Sequence, residues 1–412
     1  MKNNNLQRIK LVFNKYTKIN IFIKLLIISI IIYFFFVCKC FFFQQSIINV
    51  EKKEIQKIII SKINNYILIC RNGTLINGIK QSKNDTKISV VLTLYNSENT
   101  IKTSIRSIQN QNFTDLEIII IDDYSTDKGY NIIKMLQKED QRIKIIKNNK
   151  NRGALYSKSI GALNAKGKYI FPLDSDDLFV NENLFNFCFN EAEKSNIDIL
   201  EFSGIECKNR IIPINNHFPQ IPLYLKFKKN NEIIRSPKLR HFIYKKVKYK
   251  RFKLIDGFLW GKSIKSIIYK KALNLLGTKI YSQHICYGDD RIVIFFLFKV
   301  AGSFKFVKIY GIIHNFNRHS ITNSHRKIKN CHDELINIMT IYNYTKNNKE
   351  VEIAVYEIIH RWKIIIYPGI KNKNNLNLLL NLINQMLNCK YINKSYKNIL
   401  NSYYIEVLSF IL

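Results

Sequence analysis

Between residues 88 and 173 the sequence repeats one rhythm: a short, largely apolar run, then a stretch with apolar residues at helical spacing. The runs are residues 88–92, 118–121, 143–146 and 169–173. Ile101, Ile105 and Ile108 follow the first, Ile132, Ile133 and Leu136 the second, and residues 155–165 the third. Strands without a regular polar alternate are buried on both faces. Joined in sequence by helices, they predict a parallel sheet covered on both sides. In such sheets ligands bind beyond the carboxyl ends of the strands. Tyr95, Asp123 and the segment Phe-Pro-Leu-Asp-Ser-Asp-Asp-Leu-Phe at 171–179 all fall at such ends.

That last segment places Asp174, Asp176 and Asp177 between hydrophobic flanks with no Lys or Arg among them. Clustered carboxylates of this kind suit a hard divalent cation completed by water and substrate phosphates. The alternative is a solvated turn with a helix N-cap, where Asp is also common. The acids are conspicuous in a chain of net charge +35, with 65 Lys and Arg against 30 Asp and Glu. The lysines are spread over the whole chain along with Asn and Ile, which argues against a dedicated nucleic-acid surface. No nucleic acid is expected as a partner.

Before the rhythm begins, residues 1–24 carry six basic side chains and no acid, and residues 25–43 are nearly all apolar. Such a run is long enough for one membrane span, and its basic N-terminal flank places the N-terminus in the cytosol. Phe41, Phe42 and Phe43 stand where a signal cleavage site needs small residues, so an uncleaved anchor is favoured over a signal peptide. Residues 44–86 read as a polar, Lys-rich stem. Sequons at Asn72, Asn84, Asn112, Asn343 and Asn393 suit a lumenal domain. The eight cysteines form no paired CxxC pattern, so structural zinc is not expected; disulfides require an oxidising compartment.

Past the acidic segment, residues 198–202 predict a further strand, residues 258–276 a helix, and residues 304–313 a late strand. Between them, residues 235–253 carry nine Lys or Arg and no acid. That run is either a loop for an anionic ligand or a solvated surface. Gly288-Asp289-Asp290 opens an apolar helix at 292–298. Residues 326–412 read as a helical C-terminal extension with no chemical motif.

Taken together, these segments resemble family 2 glycosyltransferases of the GT-A fold. Ile-Ser-Val-Val-Leu-Thr-Leu-Tyr-Asn at 88–96 is similar to the family's opening strand, with Thr93 where proline is common. Glu-Ile-Ile-Ile-Ile-Asp-Asp-Tyr-Ser-Thr-Asp at 117–127 resembles the second motif, with Tyr124 where glycine is usual. Residues 153–170 resemble the third, with Lys158 and Ser159 at positions often Arg and Asn, and residues 173–177 the DxD element. Trp260-Gly-Lys-Ser-Ile, Tyr287-Gly-Asp-Asp and the segment 314–321 continue the likeness more weakly.

The resemblance implies an α/β GT-A domain at 87–325, Rossmann-like, its mostly parallel sheet carrying helices on both faces. The anchor at 25–43 precedes it and the helices of 326–412 follow. It further implies a metal-dependent, inverting enzyme moving a sugar from a nucleotide-sugar, a UDP-sugar by preference, to a hydroxyl of a glycan, protein or lipid. Asp177, Asp176 and Asp174 are the implied ligands of Mn2+ or Mg2+, with Asp176 shared with the ribose. Thr93, Tyr95 and Asp123 are implied at the nucleotide. Tyr95 is either a base-stacking ring or a core aromatic; Lys158 either offsets diphosphate charge or is a solvated lysine. Asp290 is the implied catalytic base beside Asp289, unless the two only cap a helix. His314 is either a ligand contact or a buried structural histidine. A single-pass type II protein of the Golgi or another secretory membrane, with a lumenal catalytic domain, is the expected placement. Thr93, Tyr124, Ser159 and Asp289 depart from the family pattern and keep a second reading open, an inactive binding module on the same fold.

Overall fold

The computed structural model describes residues 85–208, 233–236, 245–247, 251–253, 258–316, 327–369 and 372–408, with residues 61, 69–70, 72 and 75. All but residue 61 belong to one compact unit, Tyr66–Leu412. The basic tail, the expected span at 25–43 and most of the stem lie outside the described residues. Among the described residues no helix is long and apolar enough to cross a membrane.

The predicted rhythm is present. Strands β1 (Ile88–Leu94), β2 (Leu116–Asp122), β3 (Ile143–Lys147) and β4 (Tyr169–Asp174) alternate with helices α1 (Ile101–Gln109), α2 (Gly129–Glu139) and α3 (Ala154–Asn164). The four strands are parallel in the order β3-β2-β1-β4. Successive side chains of a strand point to opposite faces, and the apolar runs therefore feed two separate cores. Val90, Leu92, Ile118, Ile120 and Phe171 join α1, α2 and the helix α4 (Leu184–Ser195) on one face. Val91, Ile119, Ile121 and Ile170 join α3 and the later helices on the other.

The polar residues that interrupt these runs are paired inside. Ser89 Oγ donates to Glu117 Oε1 at 2.6 Å, Lys144 Nζ reaches Oε2 at 2.6 Å, and the Lys166 amide adds a third bond at 2.6 Å. Burial by itself would raise the Glu117 carboxyl, but these donors outweigh it and hold it below its ordinary value. A carboxylate therefore ties β1, β2, β3 and the turn before β4 together at their starting ends.

Beyond β4 the sheet changes character. A short β5 (Leu178–Phe179) is followed by β6 (Ile199–Lys208), β7 (Ile233–Arg235), and the two-stranded ribbon of β8 (Lys245–Val247) with β9 (Arg251–Lys253). Strand β10 (Lys262–Lys265) lies antiparallel between β4 and β6, and β11 (Ser303–Phe316) runs parallel to β6 and antiparallel to β5 and β7. The sheet is thus mixed rather than mostly parallel: its β1 to β4 half is parallel, and its other half depends on antiparallel partners. The helix expected over 258–276 begins only at Ser266, as α5 (Ser266–Leu276). Gly261 at φ 73° turns the chain, and Lys262, Ser263 and Ile264 fill the strand slot, where Lys262 Nζ sits 3.5 Å from Glu201. An apolar helical period could not reveal that slot. The basic run at 235–253 is described only in part, through Arg235, Ser236 and the ribbon.

Helix α6 (Asp289–Val300) precedes β11; helices α7 (Lys327–Thr345), α8 (Glu352–Arg361), α9 (Lys373–Leu387) and α10 (Lys394–Leu408) follow it. Leu335, Ile338, Ile358, Trp362 and Leu379 pack in the same core as Leu155, Tyr269 and Phe296. Among the described residues, Cys188, Cys286, Cys331 and Cys389 are free thiols.

Candidate active site

Strand register sets the site. Thr93 pairs in register with Ile121 on one side and Asp174 on the other, so β1, β2 and β4 release their chains at one level. Tyr95, Asp122, Asp123 and the acidic segment leave the sheet side by side there. Thr93 Oγ1 lies 3.4 Å from Asp174 Oδ1.

Tyr95 is 45% exposed and is not a core aromatic. Asp123 is buried and works within the fold. Its Oδ1 accepts from Asn148 Nδ2 and the Arg152 amide, both at 2.7 Å, and its Oδ2 accepts from the Gly153 amide at 2.8 Å. The segment opening α3 is thereby bound to the end of β2, and one face of Oδ2 keeps its acceptor capacity. Asp122 Oδ1 accepts from the Ser125 amide at 3.1 Å, a local backbone role. Between them the chain passes through Tyr124 at φ 66°. That left-handed backbone costs a side-chain-bearing residue roughly 1–2 kcal/mol, which explains why glycine suits the position.

Lys158 gathers the catalytic candidates. It projects from α3 and is neither solvated nor turned to an open surface: its side chain is 10% exposed. Its Nζ lies 2.7 Å from Asp290 Oδ1, 2.9 Å from Asp289 Oδ2 and 3.2 Å from Asp174 Oδ1. Burial would lower this lysine, but the three carboxylates outweigh it and hold it well above its ordinary value. Asp290 also accepts from the Leu259 amide through Oδ2 at 3.1 Å. Burial pushes Asp290 up, yet Lys158 and that amide hold it below the usual carboxylate range, so it is ionised at neutral pH. Its neighbour Asp289 is pushed up to about 7 by burial, with Lys158 opposing and Asp290 and Asp174 adding repulsion. Both acids occupy the first turn of α6, where the helix dipole favours them as well.

The remaining acids face His314. Its Nδ1 lies 3.1 and 3.0 Å from the two oxygens of the fully buried Asp177. Burial would lower the imidazole, but Asp177 and its neighbours hold it at about 9, so it carries a proton. The ring stacks on Trp260 at 5.1 Å, and Trp260 stacks on Phe258 at 5.2 Å. Asp176 is raised to about 7 by burial first, then by Asp177 and Asp174.

Whether these acids suit a divalent cation is decided by their surroundings. Among the described residues no three His, Cys, Asp or Glu side chains are arranged to hold a metal by themselves. Asp174 already faces Lys158. Asp176 and Asp177, crowded on one turn, fit a site of one or two carboxylates finished by substrate phosphates, the usual arrangement for Mg2+. An all-protein cage is not what this turn offers.

Two residues without a motif in the sequence bond the main chain just before the acid pair. Asp333 Oδ2 accepts from the Cys286 and Tyr287 amides at 2.9 and 3.1 Å, and Asn337 Nδ2 donates to the Tyr287 carbonyl at 3.0 Å. Both lie on α7, in a stretch whose only sequence signal was helical periodicity.

Residues 89–258 match the profile of Glycosyl transferase family 2. The chain is 40% identical over 108 residues, 26% of its length and 42% of the relative's, to UDP-Glc:alpha-D-GlcNAc-diphosphoundecaprenol beta-1,3-glucosyltransferase WfaP of Escherichia coli. It is 41% identical over 92 residues, 22% of its length and 30% of the relative's, to GalNAc(5)-diNAcBac-PP-undecaprenol beta-1,3-glucosyltransferase of Campylobacter jejuni. In both cases the chain spans less than half the length of the curated relative it matches. Its fold is similar to that of S. aureus TarS in complex with UDP-GlcNAc, with a TM-score of 0.53 at 16% identity, covering 73% of this chain and 81% of that one. Over residues 89–258, less than half of its length, the chain is similar to glycosyl transferase family 2.

Proposed function

We propose that the protein transfers a sugar from a nucleotide-diphosphate donor, a UDP-sugar by preference, to an acceptor hydroxyl with inversion at the anomeric carbon, and that it depends on a divalent metal. The observation that carries this reading is the convergence on Lys158 of Asp174, from the DxD element, with Asp289 and Asp290, more than a hundred residues later. A donor-side acid and an ionised carboxylate suited to general-base work then border one space.

In this reading Tyr95 stacks on the base, Thr93 lies against the nucleotide, and Asp123 braces the pocket while its free lone pair accepts from a base imide. Asp176 and Asp177 hold Mn2+ or Mg2+, with His314 fixing the Asp177 carboxylate. When bound, the cation supplies Lewis-acid neutralisation of the departing diphosphate. Asp290 takes the proton from the acceptor hydroxyl as the new oxygen–carbon bond forms, and the nucleoside diphosphate leaves with the electron pair of the broken bond. One base opposite one leaving group corresponds to a single displacement. The Trp260–His314 stack lies beside this space and suits a sugar ring. The acceptor is a glycan, protein or lipid; a lipid-diphosphate-linked glycan is favoured, since the names of two relatives specify such acceptors.

The test is release of free UDP from a panel of UDP-sugars. With Mn2+ and acceptor extract we expect turnover with one donor, and a loss of at least about 100-fold on chelation, in keeping with the several kcal/mol a Lewis acid contributes. A protein that binds UDP yet releases none from any donor is the inactive module instead.

We also place the domain at a secretory membrane, anchored by residues 25–43 with the catalytic unit in the lumen. In cells the sequons at Asn112, Asn343 and Asn393 should then acquire N-glycans, giving a mobility shift on glycosidase treatment. An unshifted protein that is digested by protease added outside sealed microsomes would reverse this topology.

A further inference from the structure

The acid pair Asp289–Asp290 is delivered by residues 284–288, and these are gripped from two sides. On one side, the Leu155 amide at the start of α3 donates to the Ile285 carbonyl at 3.0 Å. Gly153, at φ 87°, lets that backbone approach so closely that a Cβ there would stand 2.9 Å from the Ile285 oxygen. The other side is α7, which lies outside the family match at 89–258. The buried Asp333 carboxylate takes both the Cys286 and Tyr287 amides, and Asn337, one turn further along, donates to the Tyr287 carbonyl. Between these two residues Glu334 pairs with Arg291, the residue after the acid pair. Gly288 turns at φ 70° with Asn337, Glu334 and Arg291 packed where its side chain would be.

A buried aspartate is costly unless hydrogen-bonded, and no ordinary helix contact requires one to face two consecutive loop amides. Consecutive amides held by one carboxylate fix the plane of the peptide between them. The chain then has only Gly288 before α6 begins with Asp289. We propose that Asp333 and Asn337 are positioning residues for the transfer step: from α7 they hold the main chain at residues 286–287 and so set where Asp290 presents its carboxylate. This rests on Asp290 being the base.

The test uses the full chain and compares Asp333→Ala, Asp333→Asn and Asn337→Ala, with turnover normalised to the fraction of protein that binds UDP. Misplacing a reacting group by about 1 Å costs on the order of 100-fold. The expected result is a fall in kcat of roughly 10- to 100-fold for both alanine variants, with donor KM and UDP Kd within about twofold of wild type, because the nucleotide is held elsewhere. Asp333→Asn keeps one acceptor oxygen for the two amides and should recover much of the loss. A purely structural role would lower the UDP-competent fraction and leave turnover per competent site unchanged; that result overturns the proposal. Should Asp333→Ala fail to fold, Asn337→Ala, which removes a single hydrogen bond, decides on the same criterion. Wild-type protein that fails to transfer any sugar would instead remove the base assignment, an outcome separate from active wild type with fully active variants.

Discussion

Replacing Asp290 by Asn is expected to lower sugar transfer by roughly 100- to 10,000-fold, the contribution of a positioned general base, while leaving UDP affinity within about twofold. The substitution keeps size and shape, so an amide oxygen can still accept from the Leu259 amide. Lys158 loses one partner but keeps Asp174 and Asp289, and the buried cation stays compensated. The variant loses the capacity to accept a proton together with one ion pair to Lys158. Lys158 and the Leu259 amide keep Asp290 ionised at neutral pH despite burial, so it is in the proton-accepting form. Single-turnover transfer and calorimetric UDP binding on the same preparation make the measurement. Near-wild-type turnover would move the role to Asp289, whose carboxyl is raised to about 7.

Lys158→Met has the other large effect, and here the damage reaches stability. Three carboxylates lie within 3.2 Å of one ammonium with 10% exposure. Removing one partner of a buried ion cluster leaves uncompensated charge and costs about 3–5 kcal/mol, against a total domain stability of about 5–15 kcal/mol. The pH dependence has a definite sign. In the wild type, Asp290 has a depressed folded-state value, so its contribution is present above the ordinary carboxylate range and fades as pH falls through that value. Asp289 is raised to about 7, so its ionisation costs stability as pH rises from the ordinary carboxylate range toward 7. Without the lysine both acids behave in the second way. The variant should therefore melt at a higher temperature at pH 5.5 than at pH 8; thermal unfolding across that window checks it. A variant whose melting temperature matches wild type at pH 8 would mean the cluster is solvated in solution.

The fold was legible wherever burial leaves a local trace. Strands β1 to β4 declare themselves because both faces are covered, and a strand covered twice cannot carry a polar alternate without a partner such as Glu117 has. The site was legible at strand ends, where Tyr95, Asp123 and the DxD acids interrupt apolar runs. Lys158 was legible only through the family resemblance and with its role left open, since a lysine on a helix has the same local sequence signature whether it meets solvent or three acids from distant segments. Strand β10 was misread because its apolar spacing continues into α5; only the gap between β4 and β6 makes it a strand. Asp333 and Asn337 left no sign at all. Their significance comes from main-chain atoms of residues 286–287, and hydrogen bonds to main chain impose no pattern on the partner's side chains.

The strand order also has a temporal consequence. Strands β3, β2, β1 and β4 come from one uninterrupted stretch, residues 88–174, joined by short local crossovers. Segments with nearby contacts form early, and domains emerge from the ribosome N-terminal part first. On the proposed assignment, the donor pocket can therefore take shape on the nascent chain before Asp290 is in place. Asp290 is fixed only after β10 has inserted and the first turns of α7, through residue 337, have been made. On the proposed assignment, the donor-binding half of the chain is made before the first turns of α7 complete the placement of Asp290.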